Sequence, residues 1–372
     1  MKFRRMPIEI ESPEQLGYDT IANNLSESSF SDMRLTDHAI DSDVGDLLLQ
    51  YGDHLGLPRL REQIAGEAFG VDDVLVTAGA APALFIVASA LVQPGDHIIV
   101  LRPNYATNLE TPRAIGAEVE YLDLSFDDGW ALDPQRIADA LRPDTRLVSL
   151  TYPHNPTGAM LGRAELERIV EIVDAHPTAH LLLDETYREL AYGDPLPQVT
   201  SLSERALGVS SMSKVFGMPG LRIGWVTCRD AELQETLLAA KEQILLAGAT
   251  IDEELAARVL EARPRLLPVI REKIERHFAI VRDWIAAQET FEWVEPRAGV
   301  VGFLRFRDGV EVDVDEFYES LLRDHGTYVG PGHWFDQDRR GFRLGFAWPE
   351  TDELERGLDG LVKAADRARA LL

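Results

Sequence analysis

The sequence predicts an α/β protein: a large domain on a mixed, mostly parallel sheet flanked by helices, plus a smaller α+β domain. Two observations carry this. Between residues 74 and 227, short apolar runs alternate with helix-length amphipathic segments, the rhythm of parallel strands joined by crossover helices. After residue 230 that rhythm gives way to a long helical stretch, then to short strands mixed with helices. A chain of 372 residues is comfortable for two coupled domains.

The elements follow in order. Residues 74–76 read as a strand and 80–92 as a helix; 97–101 as a strand and 106–115 as a helix. Residues 119–122 are a strand and 134–141 a helix; 147–151 a strand, 163–175 a helix and 180–183 a strand. Residues 206–210 and 223–227 are further strands. Residues 231–289 are largely helical, with Pro264 and Pro268 expected to break or kink the run. Beyond them, strands at 302–306 and 343–346 mix with helices at 314–323 and 352–370. Residues 1–45 carry no strong sheet signal and are expected to pack with the small domain. The expected division is therefore 1–45, 46–280 and 281–372.

Composition narrows the function. The formal charge is −26, from 37 basic and 63 acidic residues. So acidic a chain repels phosphate backbones and anionic lipid surfaces, so neither nucleic acid nor membrane is an expected partner. No run approaches eighteen apolar residues, and the opening MKFRRMPIEIE lacks the apolar core of a secretory signal. A cytoplasmic enzyme is expected. The single cysteine, Cys228, follows a strand-like run and reads as a small buried hydrophobe. No clustered ligand set such as HExxH is present, so no metal is expected. Only five lysines occur, at 2, 214, 241, 273 and 363, which leaves few candidates for lysine chemistry.

In open α/β sheets, ligands sit outside the carboxyl ends of the strands. Four polar constellations fall there. Thr77-Ala78-Gly79-Ala80-Ala81 opens a helix after the first strand. Thr151-Tyr152-Pro153-His154-Asn155-Pro156-Thr157-Gly158 follows another strand, and Asp184-Glu185-Thr186-Tyr187 a third. Ser211-Met212-Ser213-Lys214 follows a fourth, with Arg222 eight residues past the lysine.

Asn-Pro-Thr-Gly, Asp-Glu-x-Tyr, Ser-x-Ser-Lys and Pro-Gly-Leu-Arg-Ile-Gly, in this order and spacing, resemble the class I/II aminotransferases. These are the fold-type I pyridoxal 5′-phosphate (PLP) enzymes of the aspartate aminotransferase superfamily. The resemblance spans the chain from Tyr51 to about Arg343. It implies that Lys214 holds the cofactor as a Schiff base and, once freed, moves the substrate proton. Asp184 is similar to the aspartate that keeps the cofactor ring cationic, and hence an electron sink. Tyr187 and Asn155 match the residues that hydrogen-bond its phenolic oxygen. Arg222, Ser211 and Ser213 would bind its phosphate, with the N–H groups of the helix opened by Gly79, Ala80 and Ala81. Tyr105 falls where an aromatic stacks on the ring. Tyr51 matches a tyrosine that reaches the neighbouring subunit's phosphate, which implies a homodimer. Arg343 resembles the arginine that clamps the substrate α-carboxylate, a task for a planar fork.

The chain departs from the pattern at Asn24-Leu25-Ser26-Glu27-Ser28-Ser29-Phe30. Where many members carry a glycine lining the substrate site, Ser26 stands, and no proline follows Glu27. This form resembles branches near the capreomycidine synthases and arginine-processing PLP enzymes. With no second arginine placed for a dicarboxylate, Glu27 points to a cationic or polar substrate side chain. A second unusual stretch, Tyr328-Val329-Gly330-Pro331-Gly332-His333-Trp334-Phe335, places His333 and Trp334 at the pocket, or else His333 in a loop touching water. The implied reaction is transfer of an amino group from an L-amino acid to a 2-oxo acid. The alternative on the same fold is a lyase, oxidase or capreomycidine-synthase-like cyclase of arginine chemistry. A PLP-binding transcription regulator would need a basic DNA-binding unit before the fold. Here the motifs begin by Tyr51 in a strongly acidic chain.

Overall fold

The computed structural model describes residues 1–370. The chain begins with two short helices, α1 (Pro7–Glu11) and α2 (Pro13–Leu16), and a two-residue strand, β1 (Asn23–Asn24). Helix α3 (Pro58–Ala65) leads into β2 (Val74–Thr77), α4 (Ala80–Leu91), β3 (His97–Arg102), α5 (Ala106–Ile115), β4 (Glu118–Asp123) and α6 (Pro134–Ala140). Then come β5 (Thr145–Thr151), α7 (Arg163–Asp174), β6 (His180–Asp184), β7 (Ala206–Ser211), α8 (Met212–Val215) and β8 (Gly224–Thr227).

These strands form one seven-stranded sheet in the order β2-β8-β7-β6-β5-β3-β4. Strands β3 to β7 pair in parallel; β8 runs antiparallel to both β7 and β2. The parallel strands are near-continuous apolar runs because both faces are covered by helices. Ile99, Val148, Leu150, Leu181 and Leu183 pack on one side, and Ile98, Val100, Leu147 and Leu182 on the other. Cys228 is fully buried just past β8, as its apolar setting predicts.

The second half holds α9 (Ala231–Glu242), α10 (Thr250–Glu261), α11 (Arg263–Ala287), β9 (Phe291–Trp293), β10 (Val301–Phe306), α12 (Val314–His325), β11 (Thr327–Tyr328), β12 (Gly330–Pro331), β13 (Gly341–Gly345) and α13 (Thr351–Ala370). A four-stranded sheet orders these strands β12-β13-β10-β9. Helix α11 runs unbroken through Pro268, contrary to the expected break there. The missing N–H of Pro268 removes one bond near the helix start, while Leu266, Ile270 and Ile274 stay buried along the same face. The chain interrupts instead at Ala262, with Pro264 in the tolerated first turn of α11.

The N-terminal segment does acquire a strand. Asn23 and Asn24 pair in parallel with Thr327 and Tyr328. Two residues are too few to show a pattern, so the pairing is imposed by tertiary contacts. From there the segment crosses the molecule. Gly345 N donates to Leu25 O at 2.7 Å, Phe30 N donates to Lys214 O at 2.9 Å, and Met33 N donates to Gly217 O at 2.8 Å. A Cβ on Gly345 would stand 1.7 Å from the Glu27 carbonyl oxygen, so only glycine lets this strap lie across β13.

Candidate active site

The carboxyl ends of β2, β5, β6 and β7 open onto one cleft of about 340 Å³, closed from the far side by β13 and the N-terminal segment. Ser26, Glu27, Ala80, Ala81, Tyr105, Asn155, Asp184, Tyr187, Ser211, Ser213, Lys214, Arg222 and Arg343 all line it. Thirteen residues chosen from sequence thus converge from seven segments. Gly79 lies one residue behind the wall. Tyr51 stands apart, 82% exposed and outside the cleft of its own chain.

Lys214 sits on α8, whose N-cap Ser211 accepts a hydrogen bond from Ser213 N at 3.3 Å. Among the described residues no hydrogen-bond partner reaches the lysine amine. Burial pulls its pKa below the ordinary lysine value; Glu27 and Glu14 oppose that shift, while Arg343 adds to it. The carboxylate of Asp184, 6% exposed at the end of β6, accepts from Thr186 N at 3.1 Å. Burial raises its pKa, and the Thr186 and Asn108 side chains oppose that rise. A buried carboxylate so placed is stabilised by a cation in the cleft.

Behind Asp184 lies a polar network that the sequence did not announce. Asn104 Oδ1 accepts from Tyr105 N at 2.7 Å, Asn108 Nδ2 at 3.0 Å and Thr151 Oγ1 at 2.9 Å. It thereby fixes Tyr105 at the N-terminus of α5, facing the cleft. Its legible signal was position alone, one residue before Tyr105 at a strand end. Tyr187 is buried beside the Ser28 hydroxyl, and burial pushes its phenol well above the usual tyrosine value.

Arg343 lies mid-strand in β13 and is only 4% exposed. It donates through Nη1 to Asn155 Oδ1 at 2.9 Å and through Nη2 to Ser26 O at 2.6 Å, and its guanidinium stacks 5.0 Å from the Phe335 ring. Its buried Nε has no hydrogen-bond partner among the described residues. Glu27 is half-buried, with Oε1 accepting from Tyr18 Oη at 3.1 Å. Glu14, on α2, joins it in the cleft wall, and neither carboxylate forms an ion pair among the described residues. Glu14 gave no sequence signal, since α2 is too short to show periodicity.

Trp334 takes the pocket position expected of it, whereas His333 is half-buried in a turn and turned to a carboxylate. Trp334 is fully buried and lines the cleft; His333 pairs with Glu11 at 2.8 Å. Glu11 Oε2 also accepts from Trp334 Nε1 at 2.8 Å, so one carboxylate ties α1 to this turn.

The residues present fit pyridoxal phosphate. At the phosphate end, Gly79 has φ +104°, and a Cβ there would meet Arg222 Nη2 at 2.6 Å. Arg222 holds the left-handed conformation, φ 53°, its guanidinium anchored on Pro219 O at 2.8 Å and Ala78 O at 3.3 Å. A guanidinium, two serines and the free N–H groups of the twelve-residue α4 therefore border one end of the cleft. At the other end, the Asp184 carboxylate suits a protonated ring nitrogen, and the unbonded Lys214 amine suits a carbonyl carbon.

Comparison with known proteins agrees with this geometry. The model of the family described as aminotransferase class I and II matches residues 23–361. The capreomycidine synthase of Streptomyces vinaceus is 32% identical, over 91% of this chain and 87% of its own. The arginine–pyruvate transaminase of Pseudomonas aeruginosa is 31% identical, over 79% and 77% respectively. Among solved structures, a PLP-dependent aminotransferase from Streptococcus suis superposes with a TM-score of 0.90 at 27% identity, covering 99% of each chain. The chain belongs to the class I and II aminotransferase family and has the fold-type I architecture. It is a PLP-dependent aminotransferase, a transferase acting on amino acids and 2-oxo acids. Among the described residues no helix is long and apolar enough to cross a membrane.

Proposed function

We propose that this enzyme moves the amino group of an L-amino acid with a cationic side chain to a 2-oxo acid. The observation that carries this reading is the pairing, in one cleft, of Arg343 near Lys214 with two carboxylates, Glu27 and Glu14, that lack a basic partner. Arg343 would take the substrate α-carboxylate; Glu27 and Glu14 would take the distal positive charge. Bound pyridoxal phosphate supplies a carbonyl that condenses with amines and a ring that accepts the electrons of the Cα–H bond.

The chain's own residues do the rest. Lys214, its amine unbonded in the cleft and its pKa lowered by burial, would take up and give back the proton of substrate Cα. Asp184 would hold the proton on the ring nitrogen, Asn155 and Tyr187 would bind the phenolic oxygen, and Tyr105 would pack on the ring. Ser211, Ser213, Arg222 and the α4 N-terminus would hold the phosphate. Because β13 carries Arg343 on the small sheet, movement of residues 281–372 with 1–45 against 46–280 would close the cleft.

The same reading makes the active unit a cytoplasmic homodimer. Tyr51 is exposed beside Leu48 and Leu49, and Thr250 Oγ1 donates to Gln50 O at 3.1 Å, joining this loop to the one carrying the exposed Ile244, Leu245 and Leu246. A second copy would cover these side chains and receive Tyr51 at its phosphate. Mixing inactive Lys214→Ala and Tyr51→Ala chains tests this. Hybrid dimers with one intact site regain activity; no recovery removes the shared-site reading.

A second reading keeps the same binding groups and ends in ring closure on an arginine-type side chain. It is favoured by the likeness to capreomycidine synthase over 91% of the chain. One experiment separates them: purified enzyme is given a panel of amino acids with and without a 2-oxo acid. Turnover that requires the oxo acid and yields a new amino acid supports transfer. Product formed from a basic substrate without any oxo acid moves the assignment to the cyclase.

A further inference from the structure

A second cavity, of about 290 Å³, lies behind the active cleft, and the mechanism leaves its charged groups unused. The two cavities share Thr186 and Ser211 in their walls. Consecutive residues at the end of β6 therefore face different spaces: Asp184 the active cleft, Glu185 this one.

Three arginines converge here. Arg263 is committed to Glu189, with Nη1 3.2 Å from its Oε1. Arg188 and Arg271 are not committed to any carboxylate. Arg188 uses only Nε, on Leu196 O at 2.8 Å. Arg271 places Nε and Nη2 on the Glu189 carbonyl at 3.3 and 3.0 Å, leaving Nη1 unbonded. In a chain of net charge −26, two guanidiniums lining one cavity without an ion pair among the described residues are conspicuous.

Glu185, only 5% exposed, is the third group. Its Oε1 accepts from Val199 N at 2.8 Å, and Oε2 has no hydrogen-bond donor among the described residues. Oε2 rests over β7, 2.6 Å from where a Cβ on Gly208 would stand. The nearby Glu189 Oε2 is likewise buried without a hydrogen-bond partner among the described residues. The opposite wall is apolar, built from Ile64, Phe216, Leu260 and Leu267.

We propose that this cavity is a second ligand site, for a small carboxylate with a compact apolar body. Its carboxylate would lie between Arg188 and Arg271, a planar fork being suited to that group. Its body would rest on the Phe216–Leu267 wall. Glu185, pushed up to about 7 by burial, can hold a proton and donate it to a ligand oxygen near neutral pH.

The test titrates the holoenzyme calorimetrically with benzoate, which has a carboxylate and no amine, and separately with inorganic phosphate. Benzoate is expected to fill two sites per protomer, one on Arg343 and one in this cavity. Arg343→Gln should remove the first and keep the second. The Arg188→Gln/Arg271→Gln pair should keep the first and weaken the second by at least ~10-fold, as the loss of a charge-assisted contact implies. Retention of the visible cofactor band shows that the variant is folded, and Arg188→Gln alone is the milder control should the pair not fold. A single benzoate site in the wild type that Arg343→Gln abolishes would overturn the proposal. So would an unchanged second site in both arginine variants. Phosphate binding as tight as benzoate would overturn the apolar component.

Discussion

Replacing Glu27 by glutamine keeps the side chain's shape and removes its charge, so it isolates the electrostatic part of substrate choice. Two unit charges 4 Å apart in surroundings of effective dielectric constant ~20 attract by about 4 kcal/mol. Glu27 is half-buried, shares an oxygen with Tyr18 Oη, and is backed by Glu14, which remains. Screening and the surviving carboxylate reduce the loss to about 1–2 kcal/mol, or ~5- to 30-fold in kcat/KM for arginine. A neutral substrate such as leucine makes no such contact and should change by less than ~3-fold, the residue of small local adjustments. The effect should fall on KM more than on kcat, because the side-chain contact is made equally before and during the chemistry. The assay is steady-state oxo acid formation from each donor. An arginine value that does not fall, or one that falls in step with leucine, refutes the assignment of Glu27 to the substrate side chain.

Three further outcomes are expected. Lys214→Ala should abolish the visible cofactor band and lower turnover by at least ~10³-fold, because in the proposed mechanism one side chain both anchors the cofactor and moves the proton; added PLP should leave the band absent. Gly79→Ala should weaken PLP binding by ~10-fold or more in a fluorescence titration, since φ +104° strains an L side chain and the new Cβ would displace Arg222 Nη2. His154 is fully buried between Thr157 Oγ1 and Pro103 O, and burial pushes it down to about 4 from 6.5. Between those values the unfolded chain holds the extra proton, so stability falls as pH drops, by roughly 3 kcal/mol in all. His154→Gln should reduce the difference in denaturation midpoint between pH 7 and pH 4.5; an unchanged difference would exclude His154 as its source.

Much of the molecule was readable before folding. The strands of the large sheet are apolar runs covered on both faces, and that burial writes itself into consecutive residues such as Ile98–Leu101 and Leu181–Leu183. The cleft-lining groups were readable because parallel strands share a direction, so the residues after β2, β5, β6 and β7 must meet at one edge. Lys214, Asp184, Asn155 and Arg222 stood out there by type and spacing, and the structure brings all four to that cleft.

Other parts were decided only in three dimensions. Asn104 earns its place by accepting three hydrogen bonds from residues up to 47 positions away, a property of packing that no local pattern carries. Glu14 reaches the cleft because Glu11 ties α1 to the 332–335 turn and the strap from Leu25 to Met33 crosses the sheet ends, contacts between residues about 180 to 320 positions apart. The cavity behind β6 exists because alternate residues of a strand point to opposite sides, sending Glu185 away from Asp184 toward arginines on a distant helix. Pattern and chemistry along the chain therefore determined the sheet and the groups at its edge. Long-range closure, whose partners are fixed only once the chain is compact, decided the walls, the substrate's surroundings and the second cavity.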